Sequence, residues 1–186
     1  MANADDPLRA AAKTTATHDE RPLNDWAVAG VLAERPAHGF DVARVLGRDG
    51  PLGLIWTVRR QQVYRALDHL CAHGAAHALR QEPGRGGPPR TVYALTDEGG
   101  AEVDRWLDAP VGRLREVRHA LLLKLALLER RGSDPTPLLR AQREAAAAMR
   151  AACEAARPAD PAARLVTAWR RESATALLRL LDELDR

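Results

Sequence analysis

Residues 57–95, TVRRQQVYRALDHLCAHGAAHALRQEPGRGGPPRTVYAL, constrain this chain more than any other stretch. Apolar residues at Val63, Ala66, Leu67 and Leu70 keep the i, i+3, i+4, i+7 spacing of one buried helix face. Gly74 stands just past the last of them, where a helix C-cap glycine sits. Two short runs, 76–79 and 91–95, then flank Pro83-Gly84-Arg85-Gly86-Gly87-Pro88-Pro89, which reads as a hairpin with a long loop. A helix with a basic leading end followed directly by a basic hairpin is the readout half of a winged helix. The helix can enter a major groove of DNA while the hairpin tip reaches the flanking backbone.

The residues before this stretch supply the other half. Asn24 is a good N-cap for a first helix, with Leu23, Ala27, Val28, Val31 and Leu32 on its apolar face and an end near Arg35, before Pro36. After a turn at 36–37, residues 38–46 give a second short helix. Its core positions are Phe40, Val42, Val45 and Leu46, and Gly47 stops it. The loop 48–54, with Asp49, Gly50, Pro51 and Gly53, leads through Ile55 and Trp56 into the third helix. Three short helices and then a hairpin is winged helix-turn-helix order.

Beyond the hairpin, Thr96 with Asp97 and Glu98 starts a helix that runs through Val103, Trp106 and Leu107 to about Asp108, and Pro110 breaks it. Leu114, Val117, Leu121, Leu122, Leu125 and Leu128 mark a fifth helix over 114–130. A linker, 132–137, precedes an Ala/Arg/Glu-rich helix over 138–156, whose narrow stripe of small residues ends in Met149 and Cys153. The last helix, 162–184, places Leu165, Val166, Trp169, Ser173, Leu177, Leu180, Leu181 and Leu184 at three- and four-residue steps. That seam is too broad for a helix lying alone. It needs the preceding helix or a second chain, and Trp169, Leu177, Leu180, Leu181 and Leu184 are the dimerisation residues. The fold class is therefore mainly α with a small β-hairpin. A winged helix domain over 22–109 is followed by a C-terminal helical dimerisation domain over 110–186, and 1–21 reads as a disordered arm.

Total charge says little: 28 Lys and Arg face 25 Asp and Glu, a net +3. The placement of the arginines says more. Arg59, Arg60, Gln61, Gln62 and Arg65 lead the third helix without an acid among them, and Arg and Gln bond bidentately to guanine and adenine edges. A solvated face is the plainer reading of any basic helix. The coincidence with a recognition position favours contact with DNA. Arg85 and Arg90 form the wing, where neighbouring glycines let the backbone approach phosphates.

Other chemistries are excluded on spacing. His69, Cys71 and His73 point about 200° apart at successive steps on a helix, so they cannot converge on one metal. Cys71 and Cys153 lie far apart in helical segments and form no disulfide framework, and Cys71 reads as buried and inert. No nucleophile elbow, phosphate loop or carboxylate pocket suggests an enzyme or a cofactor. No apolar run reaches a membrane span of ~18 residues and no apolar leader follows the first residues, so the expected setting is cytoplasmic. Trp26 and Trp106 lie on helices expected to meet near the domain junction. Ordinary packing is the plainer account of any one tryptophan, and an aromatic effector pocket is the functional one.

These motifs together resemble the PadR family of bacterial transcriptional regulators. The resemblance rests on LAERPAHGFDVA from Leu32, on VYRALDHL from Val63 with Gly74 closing the helix, and on GGPPRTVYALTDEG from Gly86. Glu116-Val117-Arg118 followed by LLLKL from Leu121 looks like the start of the longer PadR C-terminal domain. The match is good over about 23–130 and general beyond. It implies a homodimer held by C-terminal helices, a winged helix on a palindromic operator, and repression relieved by a small aromatic or lipophilic molecule. It also implies a phosphate contact for Tyr64 and a wing role for Arg90. The chain departs from the family where Arg59-Arg60-Gln61 replaces the usual Ser-Pro-Gly-type start of the recognition helix, which leaves the cap open. A different class of function stays open beside this one: an interaction module that docks a partner through its C-terminal helices without binding DNA.

Overall fold

The computed structural model describes residues 21–83 and 89–185. The expected arm up to residue 20, and the hairpin tip with Arg85, lie outside the described residues. The chain divides into two compact units: the described part of 19–107 with 118–133, and 108–117 with the described part of 134–186.

In the first unit, α1 (Leu23–Glu34) is buried without interruption from Asp25 to Leu32. A helix enclosed on all sides has no solvent stripe, so the single apolar face read from its sequence understates its burial. The Asn24 cap does not form. Its Oδ1 accepts a hydrogen bond from Trp56 Nε1 at 2.9 Å, and the N-cap position falls on Pro22 instead.

Residues 37–38, expected to fall in a turn and at a helix start, form a short strand instead. This β1 (Ala37–His38) pairs antiparallel with β3 (Arg90–Leu95), which also pairs with β2 (Ala76–Glu82), giving the sheet order β1-β3-β2. So short a strand carries no legible alternation, and only its pairing with Val92 and Tyr93 defines it. The second helix, α2 (Gly39–Leu46), buries Val42 and Leu46 as expected. Phe40, expected in the core, is exposed instead, and Val45 is half-buried.

The third helix, α3 (Arg60–Ala72), buries Val63, Ala66, Leu67 and Leu70, the face that the spacing predicts. It stops at Gly74, whose φ of 71° is the left-handed turn that glycine takes without strain, and the Ala75 amide reaches back to the Leu70 carbonyl. Strand β2 runs past its expected end at residue 79 to Glu82, with an irregularity between Ala78 and Arg80. Thr96 then ties three elements together. Its Oγ1 accepts from the Gly99 amide at 3.0 Å, capping α4 (Asp97–Asp108), and donates to the Gly74 carbonyl at 2.8 Å.

The fifth helix expected over 114–130 is interrupted. A π-helical turn, Val117–Leu121, separates α5 (Leu114–Glu116) from α6 (Leu122–Arg131). Apolar spacing barely distinguishes one wide turn from an α-turn, so the sequence shows a single helix. In the first unit α6 is tied to α1 by Arg130, whose Nε and Nη2 donate to the Glu34 carboxylate at 2.6 and 2.7 Å. That fork raises the Arg130 pKa further.

In the second unit, α7 (Thr136–Ala155) starts inside the expected linker, because Pro137 suits a first helical turn that has no intrahelical N–H bond to lose. It packs against α8 (Pro161–Leu184), capped by Asp160, whose carboxylate accepts from the Ala163 amide at 2.7 Å. Leu138, Leu139, Ala146 and Cys153 of α7 and Ala174, Leu177 and Leu181 of α8 are buried. Gln142, also buried, accepts from the Val111 amide at 2.7 Å and donates to the Val111 carbonyl at 3.1 Å. Both polar ends of its amide are thereby satisfied. The whole is mainly α with a small antiparallel sheet, the fold class expected. Among the described residues no helix is long and apolar enough to cross a membrane.

Candidate nucleic-acid interface

Arg59, Arg60, Gln61, Gln62, Tyr64 and Arg65 are all exposed at the start of α3. At about 100° per residue they cannot share one direction. Gln61 and Arg65 stand opposite the buried stripe, Arg60 and Tyr64 lie along one edge, and Gln62 lies along the other. The edge with Gln62 borders an open groove of about 560 Å³, lined among others by Asn24, Asp25, Arg65, Asp68 and His69.

Gln62 answers how a helix with this unusual start is capped. Its Oε1 accepts from the Arg59 amide at 3.0 Å, the half of a capping box that reaches back from the third helical residue. Its carbonyl oxygen is thus committed to the helix end, which weakens it as a bidentate reader of adenine. Asp68, exposed on the outward side, ends the acid-free stretch.

Along the other edge, the Arg60 guanidinium carbon lies 5.5 Å from the Phe40 ring centroid and 5.8 Å from that of Tyr64. Phe40 is a neighbour that the sequence misplaced in the core. Its pairing with Arg60 crosses two helices and leaves no spacing signal.

Arg90 is exposed at the start of β3, opposite Glu82 of β2 in the register. Glu82 accepts from Arg80 Nε at 2.8 Å and from His38 Nε2 at 3.0 Å, while His38 Nδ1 lies 3.2 Å from the Thr91 carbonyl. Both partners of the His38 ring are acceptors, so only the doubly protonated ring makes both bonds at once. The hydrogen bond from Arg80, and after it that from His38, holds the Glu82 carboxyl below its ordinary range. One charged cluster therefore joins all three strands below the wing tip.

The histidines at the far end of α3, His69 and the C-cap His73, serve the frame. His69 Nδ1 meets Asp25 Oδ2 at 2.6 Å, the His69 and His73 rings meet edge-on at 4.4 Å, and His73 Nδ1 caps the His69 carbonyl at 2.7 Å. Among the described residues no three possible metal ligands come together. Cys71, expected to be buried, is only half-buried. Burial first, and then the neighbouring charge of Asp68, pushes its thiol pKa up, away from the reactive thiolate.

Trp26 and Trp106 do meet, in the first unit, but as a closed stack. Their centroids are 5.0 Å apart and their planes 3° from parallel, so no slot for a third ring lies between them. Arg21 sits over Trp26 at 4.9 Å and Lys124 over Trp106 at 4.8 Å, completing a four-layer column. Among the described residues, buried Trp26 Nε1 meets no hydrogen-bond acceptor. On α8, Leu177 and Leu181 are buried within the chain, whereas Trp169, Leu180 and Leu184 are exposed. The expected dimerisation set is thus partly buried within the chain and partly exposed.

Residues 28–105 match the model of the Transcriptional regulator PadR-like family. The chain is 33% identical over 91 residues to the probable transcriptional regulator Rv1176c of Mycobacterium tuberculosis, an alignment covering 49% of this chain and 47% of that protein. The chain therefore spans about half the length of the curated relative it matches. Among solved structures it is similar to Bacillus subtilis PadR in complex with operator DNA, at 20% identity and a TM-score of 0.45, over 86% of this chain and 96% of that one. It is also similar to the same protein in complex with p-coumaric acid, at 19% identity and a TM-score of 0.43, over 88% and 96% of the two chains. Over residues 28–105, the chain is thus similar to the transcriptional regulator PadR-like family.

Proposed function

We propose that this chain is a homodimeric, sequence-specific DNA-binding regulator of transcription that acts as a repressor. The observation that carries the reading is the leading end of α3, where an exposed arginine and glutamine cluster stands on a fully buried face of Val63, Ala66, Leu67 and Leu70. Arg60, Gln61 and Arg65 are the base readers, with Gln62 dividing its amide between the cap and the groove. Arg59, Tyr64, Arg85 and Arg90 hold phosphates. A two-fold dimer would set two such helices in successive major grooves of a palindrome, ~34 Å apart or a multiple of that.

The test is binding of the full chain to DNA from its own promoter region over a salt series. Wild type should lose affinity steeply as salt rises, because neutralised phosphates release counterions. Arg65→Ala should weaken selective binding by about tenfold or more. Binding unchanged in Arg65→Ala and in Arg90→Ala would sink the assignment. A wild type that binds no DNA would favour the interaction-module reading, whose support is the apolar side of α8.

The finer part of the proposal is relief of repression by a small aromatic or lipophilic effector near Trp26 and Trp106. The unpaired Trp26 Nε1 is a buried donor that such a molecule could satisfy. Because the two rings already stack, the effector would bind beside the column or open it. Titrating p-coumaric acid, a simple hydroxylated aromatic acid, against the protein–DNA complex tests this. The expected release should be lost in Trp26→Phe, which keeps a ring and removes the donor.

A further inference from the structure

We propose that Phe40 is a positioning residue for DNA readout: its exposed ring holds the Arg60 guanidinium at the start of α3 and thereby sets a base preference there. This rests on the DNA-binding reading above. An exposed aromatic is unremarkable by itself, since apolar residues scattered over a surface are common. Here two exposed rings bracket one arginine: Phe40 is 46% exposed and Tyr64 37%, and both centroids lie within 6 Å of the Arg60 guanidinium carbon at 5.5 and 5.8 Å.

Each element contributes to this geometry. Phe40 is the second residue of α2, and Arg60 and Tyr64 stand one turn apart on the same edge of α3. Gly39 lets the two helices meet there. A Cβ at that position would come within 2.9 Å of Tyr64 Cε1 and 3.0 Å of Leu67 Cδ1, so the missing side chain is the space in which the Tyr64 ring lies. Replacing Gly39 would push the second ring away from the arginine.

Ring contact suits a reader of bases. A guanidinium drawn to aromatic rings by cation–π attraction keeps N–H donors available for a guanine edge. A long side chain already held by two rings also loses less freedom on binding than one that samples solvent.

The experiment begins with selection of binding sites from random duplex DNA by the full wild-type chain. Affinities for the selected site, and for a panel with each base pair changed in turn, are then measured at fixed salt. The variants are Phe40→Leu, Phe40→Tyr, Arg60→Ala and the double variant Phe40→Leu/Arg60→Ala, each checked for folding by circular dichroism.

Phe40→Leu should lower discrimination about tenfold at the one or two base pairs that Arg60→Ala also affects, and leave the others unchanged. Phe40→Tyr, which keeps the ring, should retain discrimination, and Phe40→Leu should cost nothing further once Arg60 is gone. Independent, additive losses, a uniform loss at every base pair, or no loss at all would overturn the role of Phe40 while leaving the DNA-binding reading intact. A wild type that enriches no sequence would overturn both.

Discussion

Asp25 shows how much a single residue of this fold depends on one partner. Its carboxylate is buried in the most enclosed helix of the chain, and His69, about half exposed, meets it at 2.6 Å. His69→Ala takes the imidazole away from that carboxylate. The expected loss is about 2 kcal/mol of stability, the worth of a hydrogen bond to a charged group, read as a lower urea midpoint at pH 7. His69→Gln, able to donate to the same oxygen, should recover part of it. Glu82 sets a pH dependence whose sign follows from its lowered pKa, caused first by the Arg80 hydrogen bond. A carboxyl with a folded-state pKa below its unfolded value stabilises the fold fully above the unfolded value of about 4.3, and the contribution is lost as pH falls through the folded one. The protection of the Thr91 and Val92 amides, taken against the intrinsic exchange rate at each pH, should therefore fall in acid. In Glu82→Gln that acid-dependent step should be absent.

Among the elements, α3, the proposed recognition helix, has a makeshift start. Its N-cap is an arginine, and the residue that closes the first turn is Gln62, through the Arg59 amide. Gln62→Ala should cost about 1 kcal/mol in thermal or urea unfolding, as lost caps do, and Gln62→Glu should retain the bond. The acid would add a negative charge on the proposed DNA face, so stability and DNA affinity should separate in that variant. The buried face of α3 was legible because Val63, Ala66, Leu67 and Leu70 keep a strict helical spacing. Phe40 was misread for the opposite reason: an apolar residue on a short helix satisfies the same spacing whether it faces inward or toward an arginine from another element. The strand Ala37–His38 and the π turn Val117–Leu121 were not legible either, one too short to alternate and the other too close in period to an α-helix.

Along α8, the chain's own stability and its assembly can be measured apart. Leu177 and Leu181 are buried within the chain, so Leu177→Ala should lower the chain's own stability by about 3 kcal/mol. Trp169 is 56% exposed and Leu180 and Leu184 lie exposed further along the same helix, the part of the expected dimerisation set left for a second copy. Trp169→Glu with Leu180→Glu should yield a folded monomer in analytical ultracentrifugation if that surface joins two copies. A dimer of unchanged affinity would remove these residues from the interface.

The residues alone were enough where strict local spacing and strong turn signals carry the outcome. The helix before Gly74, the hairpin around the Gly/Pro loop, the Thr96 cap and the ordered motifs of the PadR resemblance all depend on residues close together in the chain. Tertiary structure decided the rest, because those outcomes depend on partners distant in the chain. It turned Trp26 and Trp106 into a closed stack, gave Asn24 to Trp56 instead of a helix end, and divided the α8 seam between its own chain and solvent. It also set Phe40 beside Arg60, since which way a side chain faces is fixed by whatever packs against it.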